Sequence, residues 1–498
     1  MTRNIPISFL VILQGVISAA SLVVEIVAGR MLAPHVGMSL YTWTAVIAVV
    51  LAGFSAGHWW GGRLAEKEDS AALGWTGGAL LAGAAATAGA VVLLPAIAGP
   101  VLAALANPVW SITALTGLVF FLPSFFAGVP APVLTKIAVT RASRTGPALG
   151  AMFAAGAVGA IAGTLLAGFF FISWLGSALT LVVVTCVYAG AGLIFFWLGR
   201  SAGLRLALVS ALLITGLAGL ALAAPNPCDR ESRYFCLRLD DLSVDPGQPV
   251  HLMVIDHLAH GISARDLPQV QFTEHTAMLD HLSVLRAPRG DFTSFHIGGG
   301  NYAVPRAFAA GGAGAITVAE IDPEVTAMAV EDFWFDPATA TVLHEDGRRA
   351  LLTRPEARYD IIIGDAFTDV VVPVHLVTEE FFRLAASRLT PEGTFLMNVI
   401  DHEDRLRALS SIVATMRRVF PVVEVWTQQA QPVPGQRMVF VVVGGQNRSE
   451  VDSFTVPAPD QTRFGALADD MVRGLADARG QILTDDYAPI DRLMARRD

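Results

Sequence analysis

Three cysteines in 498 residues leave neither a disulfide scaffold nor a cysteine-rich metal centre available. Cys186 lies inside an apolar stretch and reads as packing, while Cys228 and Cys236 flank "DRESRYF". A bridge between that pair suits an oxidising face, whereas a reducing cytosol keeps both as thiols. Charge is scarce as well, at 15% of residues against 53% hydrophobic, which is more apolar than an ordinary soluble protein. The scarcity is uneven. Before Pro225 only four acids (Glu25, Glu66, Glu68, Asp69) accompany nine bases, a net of +5 that leaves −14 for the rest. An acidic second half repels nucleic acid and suits a cationic ligand. No small-residue cleavage site follows the first apolar segment, which is therefore expected to stay as an anchor. No second His or Cys cluster accompanies "HEDR" at 402 to 405, so no metal is expected there and the tetrapeptide reads as an exposed helix start.

What the first half has instead is length of apolar run. Seven stretches, about 5 to 28, 41 to 63, 72 to 94, 109 to 135, 148 to 172, 178 to 198 and 204 to 224, each reach the ~20 residues that cross hydrocarbon. They predict an all-α transmembrane bundle of about seven helices over residues 1–224, with the lipid bilayer of the inner (cell) membrane as its surroundings. Gly57 with Gly61 and Gly159 with Gly163 have the four-residue spacing that lets helices approach closely. The connections after spans two, four and six hold Arg63, Lys67, Lys136, Arg141, Arg144, Arg200 and Arg205, and those after one, three and five hold only Arg30. The positive-inside rule then puts the N-terminus in the cytoplasm and the second half outside it. Glu25, Arg30 and His58 are the polar groups at membrane depth, with Glu25 and Arg30 expected to pair or Arg30 to reach the interface.

Past residue 225 short β-rich runs alternate with amphipathic ones, the pattern of an α/β Rossmann-like domain over 269–498. Residues 225–268 read as a small β-hairpin subdomain before it. "FHIGGGNYAVPRAF" ends a strand in Gly298, Gly299 and Gly300 and opens a helix. Such a turn presents backbone N–H groups and a positive helix end to a ligand that can approach closely. Glu320 ends the next strand about 20 residues on, the distance at which an acid meets ribose hydroxyls. Asp346 with Gly347 comes after a third strand and Asp365 after a fourth, so all four positions fall on the carboxyl edge where open α/β sheets bind ligands.

At these residues the chain resembles the spermidine synthase family, the polyamine aminopropyltransferases, in the form where a membrane domain precedes the synthase. "VAEIDPEVTAMAVEDF", "HEDGRRAL", "YDIIIGDAF" and "VTEEFFRLAASRLTPEGTFLMNVI" carry that resemblance with the glycine turn, and "VVEIVAGRMLAPHVGMSLYTWT" and "GRLAEK" carry it in the first half. The resemblance implies transfer of the aminopropyl group of decarboxylated S-adenosylmethionine to a polyamine acceptor such as putrescine, leaving methylthioadenosine, with no bound prosthetic group. It assigns Gly298 to Gly300, Asn301 and Gly347 to the donor, Glu320 to its ribose and Asp346 to its adenine amino group. Asp365 would receive or orient the attacking amine, Asp369 would hold a distal ammonium, and His260 and His275 would contact substrate. It also implies a homo-oligomer, and a nucleoside co-substrate implies a cytoplasmic site, against the charge rule.

The sequence departs from the family at several of these positions. Asn301 stands where an Asp is usual, "DAFTDVVVP" replaces a shorter Asp-rich turn, and His275 and Thr276 replace Tyr and Gln. An amide at 301 tolerates a carboxylate-bearing donor, so S-adenosylmethionine-dependent methyl transfer stays open, as does a non-catalytic polyamine- or nucleoside-binding module. The tail "LTDDYAPIDRL" either caps the pocket or docks on the sheet.

Overall fold

The computed structural model describes residues 6–494 apart from 106, 200–202, 368–371, 430, 432 and 434. The chain divides into two compact units, Met1–Cys236 and Leu237–Asp498.

The first unit is helical: α1 (Ile7–Val36), α2 (Leu40–Ala65), α3 (Asp69–Ala104), α4 (Pro108–Gly128), α5 (Pro130–Arg141), α6 (Thr145–Leu166), α7 (Ile172–Leu198) and α8 (Leu204–Ala221). Among the described residues six helical runs are long and apolar enough to cross a membrane: Ile7–Val36, Leu40–Ala65, Asp69–Ala104, Pro108–Arg141, Thr145–Leu198 and Leu204–Ala221. Hydropathy alone divides the same half into seven stretches. The fifth and sixth of them join in the 54-residue run Thr145–Leu198, and the apolar residues after 94 prolong α3 through Pro95 and Pro100. A straight helix of that length would extend ~80 Å, against a hydrocarbon core of ~30 Å. The run is not straight. Residues 167–171 widen into a π-helical turn, and Gly176 takes φ 71° and ψ 175°, a left-handed backbone that breaks the hydrogen-bond ladder and favours glycine.

Close helix contacts fall at the glycine pairs. A Cβ on Gly159 or Gly163 would lie 2.2 Å from the carbonyl oxygen of Gly15 or Ala19, and one on Gly57 would lie 2.0 Å from that of Phe125. At one end of the bundle Lys136 and Arg141 reach Asp69, at 2.7 and 3.8 Å, and Ser70 donates to the Gly199 carbonyl. At the other, Arg30 donates to the carbonyls of Ser232 and Tyr234 rather than to Glu25. There too Glu231 accepts from the backbone N–H of Ser177, where α7 restarts after Gly176, and Cys228 is bonded to Cys236.

The second unit opens with three successive antiparallel strands, β1 (Cys236–Asp241), β2 (Val250–Ile255) and β3 (Leu258–Ala264), of a small four-stranded sheet. After α9 (Glu274–Arg286) come β4 (Ser294–Ile297), α10 (Ala303–Gly311), β5 (Ile316–Ala319), α11 (Pro323–Asp332), β6 (Thr341–Leu343), α12 (Gly347–Thr353) and β7 (Tyr359–Gly364). The chain continues through α13 (Glu379–Ser387), β8 (Leu389–His402), α14 (Arg407–Met416), β9 (Val422–Gln428), β10 (Arg437–Gly445), β11 (Ser453–Val456), β12 (Thr462–Ala466), α15 (Asp469–Arg479) and α16 (Ile490–Met494). Strands β4 to β12 form one nine-stranded sheet in the order β11-β12-β9-β10-β8-β7-β4-β5-β6. Neighbours from β8 to β6 run parallel and the rest antiparallel. The "YDIIIG" of β7 is buried at every residue, which is why it reads as a continuous apolar run: helices cover both faces of a parallel sheet centre. Phe295, Phe381, Phe382 and Phe395, all fully buried, pack in that core.

Candidate active site

The glycine turn is shaped by its neighbours. Gly298 and Gly300 take φ 94° and 52°, conformations open mainly to glycine. A Cβ on Gly298 would stand 2.4 Å from the Asp365 carbonyl oxygen, so the end of β4 touches the end of β7 through backbone alone. Gly299 donates its N–H to one Glu320 oxygen at 2.8 Å, and Asp322 donates to the other at 2.9 Å. Glu320 is 6% exposed; burial pushes its carboxyl up, and the two backbone bonds pull partly back. It therefore clamps the turn against the end of β5.

Asn301 faces the small sheet. Its amide donates to Ser263 Oγ at 3.0 Å and lies against Gly261, where a Cβ would come within 2.3 Å of Oδ1. At 3% exposure it ties the turn to β3, and an Asp in its place would bury a charge without the amide donor. That gives the departure at this position a local reason. Tyr302, fully buried at the start of α10, bonds Thr326 at 2.7 Å.

Asp346 caps α12. One oxygen accepts from the Arg349 N–H at 2.9 Å and the other meets His375 Nε2 at 2.7 Å, and the His375 bond leads in holding its carboxyl below the usual range. Gly347 packs on β4, where a Cβ would meet Ile297 at 2.5 Å. Asp365 stands at the end of β7, with one oxygen fixed by Asn398 Nδ2 at 2.9 Å and the other 3.9 Å from His275 Nε2. His260 Nδ1 meets the Leu258 carbonyl at 3.1 Å. Burial chiefly lowers the pKa of His260, and Asp365, His275 and His257 all act on it electrostatically. His275 and His260 thus lie near this carboxylate, while His257 acts on His260 and feels Asp256 and Arg437. Asp369 lies outside the described residues.

Because β7, β4, β5 and β6 are adjacent and parallel, Asp365, the glycine turn, Glu320 and Asp346 form one row along their carboxyl ends. Sequence reasoning missed Asn398, His257 and His375. The first had a signal, a lone amide in the apolar strand "FLMNVI", since a buried amide needs partners. "HEDR" is not an exposed helix start: His402 ends β8 at 9% exposure, and α14 begins only at Arg407. The C-terminal tail docks beside this row. Asp485 binds Arg348 through both oxygens, at 2.7 and 2.6 Å, and accepts from Thr378.

Residues 296–453 match the spermine/spermidine synthase domain. The chain is 36% identical over 84 residues to a probable polyamine aminopropyl transferase of Bifidobacterium longum, covering 17% of this chain and 18% of the relative. It is 32% identical over 112 residues to a polyamine aminopropyltransferase of Vibrio vulnificus, covering 21% and 34%. It is 29% identical over 150 residues to an N-terminal histidine N-methyltransferase of Emericella nidulans, covering 29% and 26%. The matches span about a third or less of each relative's length.

Proposed function

We propose that this chain, a member of the spermidine synthase family through its domain at 296–453, is a multi-pass membrane aminopropyltransferase that uses decarboxylated S-adenosylmethionine and a polyamine acceptor. The observation that carries the reading is the row of glycine turn, Glu320, Asp346 and Asp365 on adjacent strand ends, with Asp365 braced by Asn398 and facing His275. Glu320 takes the ribose hydroxyls, Asp346 the adenine amino group and Asp365 the reacting amine. An ammonium has no lone pair, so the acceptor must shed a proton and be aimed along the carbon–sulfur axis before it reacts. A carboxylate at that point attracts the cation and orients its nitrogen.

Glu320→Gln is expected to weaken donor binding by about 1–3 kcal/mol, the cost of a lost charged acceptor. Calorimetric titration with the donor checks it, and unchanged affinity would remove Glu320 from the donor site. A second reading, methyl transfer from S-adenosylmethionine, is favoured by the N-methyltransferase relative and by an uncharged Asn301. Mass spectrometry with each donor separates the two: methylthioadenosine means aminopropyl transfer, and S-adenosylhomocysteine means methyl transfer.

For the membrane half the reading is seven crossings, α4 with α5 forming one and α6 and α7 one each. Contacts within the first unit support it. Starts of α1, α3, α6 and α8 then share the end where Lys136 and Arg141 hold Asp69 and Ser70 meets Gly199. The break at Gly176 shares the other end with Arg30 and the 228–236 loop. The basic connections Arg63, Lys67, Lys136, Arg141 and Arg144 belong to the first end, and Arg30, Arg230 and Arg233 to the second. The charge rule makes the first end cytoplasmic, and the Cys228–Cys236 bond suits an oxidising space at the second. A cysteine introduced at Asp245, in the exposed loop after β1, is expected to react with a membrane-impermeant maleimide in intact cells. Labelling only after lysis would reverse the orientation.

A further inference from the structure

We propose that His275 is the catalytic base of the reaction, taking its proton from an acceptor amine seated between His275 Nε2 and Asp365 Oδ2; this rests on the aminopropyl-transfer reading above. Those two atoms are 3.9 Å apart. That is too long for a direct hydrogen bond and short enough for one nitrogen to bond both at ~2.8–2.9 Å. The other Asp365 oxygen is already engaged by Asn398, so the carboxylate is fixed in orientation and presents Oδ2 alone to the gap.

Division of labour comes from the chemistry of the two side chains. A carboxylate attracts and orients an ammonium, but near neutral pH imidazole is in general the stronger base. His275 sits in the first turn of α9, with its side chain 16% exposed, so its Nε2 is reachable from the crevice. The titratable groups that bear on it are Asp365 from the end of β7, His260 from β3 and Glu274 on its own helix, with His257 acting on His260. Burial disfavours the charged forms of His257 and His260 and of Glu274 alike. His275 and Asp365 are the imidazole and the carboxylate whose atoms flank the gap, so that pair handles the amine and its proton.

In the transfer step an N–H bond of the acceptor ammonium breaks and its proton moves to Nε2 of neutral His275, whose own proton must then reside on Nδ1. The freed lone pair forms the N–C bond to the aminopropyl carbon. The C–S bond breaks with its electron pair kept by sulfur, which turns the sulfonium into the neutral thioether of methylthioadenosine. Product leaves as a secondary ammonium, and His275 returns its proton to water.

The test uses the full chain purified in detergent, with decarboxylated S-adenosylmethionine and putrescine. Parent protein that releases methylthioadenosine supports the underlying reading; parent protein that releases none overturns that reading and this proposal together. Given turnover, His275→Gln is expected to lower kcat about 100-fold, as loss of a general base does, with donor affinity within about twofold. It also flattens the acid limb of the pH profile of kcat/KM. His275→Ala, its fold checked by thermal unfolding, is expected to recover activity with added imidazole. A His275→Gln enzyme with parental kcat and pH profile, or an Ala variant that is folded, inactive and indifferent to imidazole, would overturn the role of His275 and leave aminopropyl transfer standing.

Discussion

Asp365→Asn is expected to lower turnover by about 10²- to 10⁴-fold, the range for losing a group that positions or moves the proton, while donor affinity stays at the parental level. The substitution keeps shape and removes charge. Asn398 Nδ2 can still donate to the new amide oxygen as it does to Asp365 Oδ1. Asn398 also has a buried oxygen without a hydrogen-bond partner, and an amide at 365 brings an N–H that can serve it if the pair turns over. Folding stability is therefore expected to hold or rise slightly, so lost activity reads as lost chemistry. Methylthioadenosine release, calorimetric donor binding and a thermal midpoint on the same preparation check all three. Parental turnover in the variant would take Asp365 out of the mechanism.

The largest stability effect is expected from Glu424. Its carboxylate and the Arg286 guanidinium are both buried, with side chains 7% and 6% exposed and 3.4 Å between them. Glu424 accepts from the Ser449 N–H and Oγ and from Trp426 Nε1. Arg286 donates to Thr394 Oγ1, Ser449 Oγ and the Asn447 carbonyl. Together they join α9, β8, β9 and the turn after β10. Glu424→Ala strands a buried cation, at a cost of about 3–5 kcal/mol. The double replacement of Arg286 by Met and Glu424 by Leu is expected to recover at least half of that, because apolar side chains of similar volume need no counter-charge. Thermal unfolding of the solubilised full chain, followed by Trp426 quenching, compares the three proteins. An unshifted midpoint in Glu424→Ala would mean that the pair contributes nothing net.

Features set by local spacing were legible in the sequence. The glycine turn, Glu320 and Asp346 each come directly after a short apolar strand, and a strand with its own turn is a local pattern. Asn301 was legible as a departure but not in its orientation, because its partner Ser263 lies 38 residues away in another sheet. Asn398, on β8, meets Asp365 only through sheet order, which puts β8 beside β7. The tail contact of Asp485 with Arg348 spans 137 residues, and nothing in either segment announces the other. In the first half, hydropathy separated two stretches between residues 172 and 178, where the chain bends at Gly176, but it gave no sign that the helix carries on through a π turn at 167–171 into that bend.

That bend has a consequence for supply. On the seven-crossing reading the chain traverses the membrane an odd number of times, and the domain after the 228–236 loop lies on the side opposite the N-terminus. A sulfonium is charged at every pH, so no protonation change lets it slip through hydrocarbon, where a bare charge is strongly disfavoured. A donor made on one side would then reach the site only as fast as a carrier moves it. The rate of polyamine formation in a cell would track that traffic, and an enzyme saturated in detergent could idle in its own membrane.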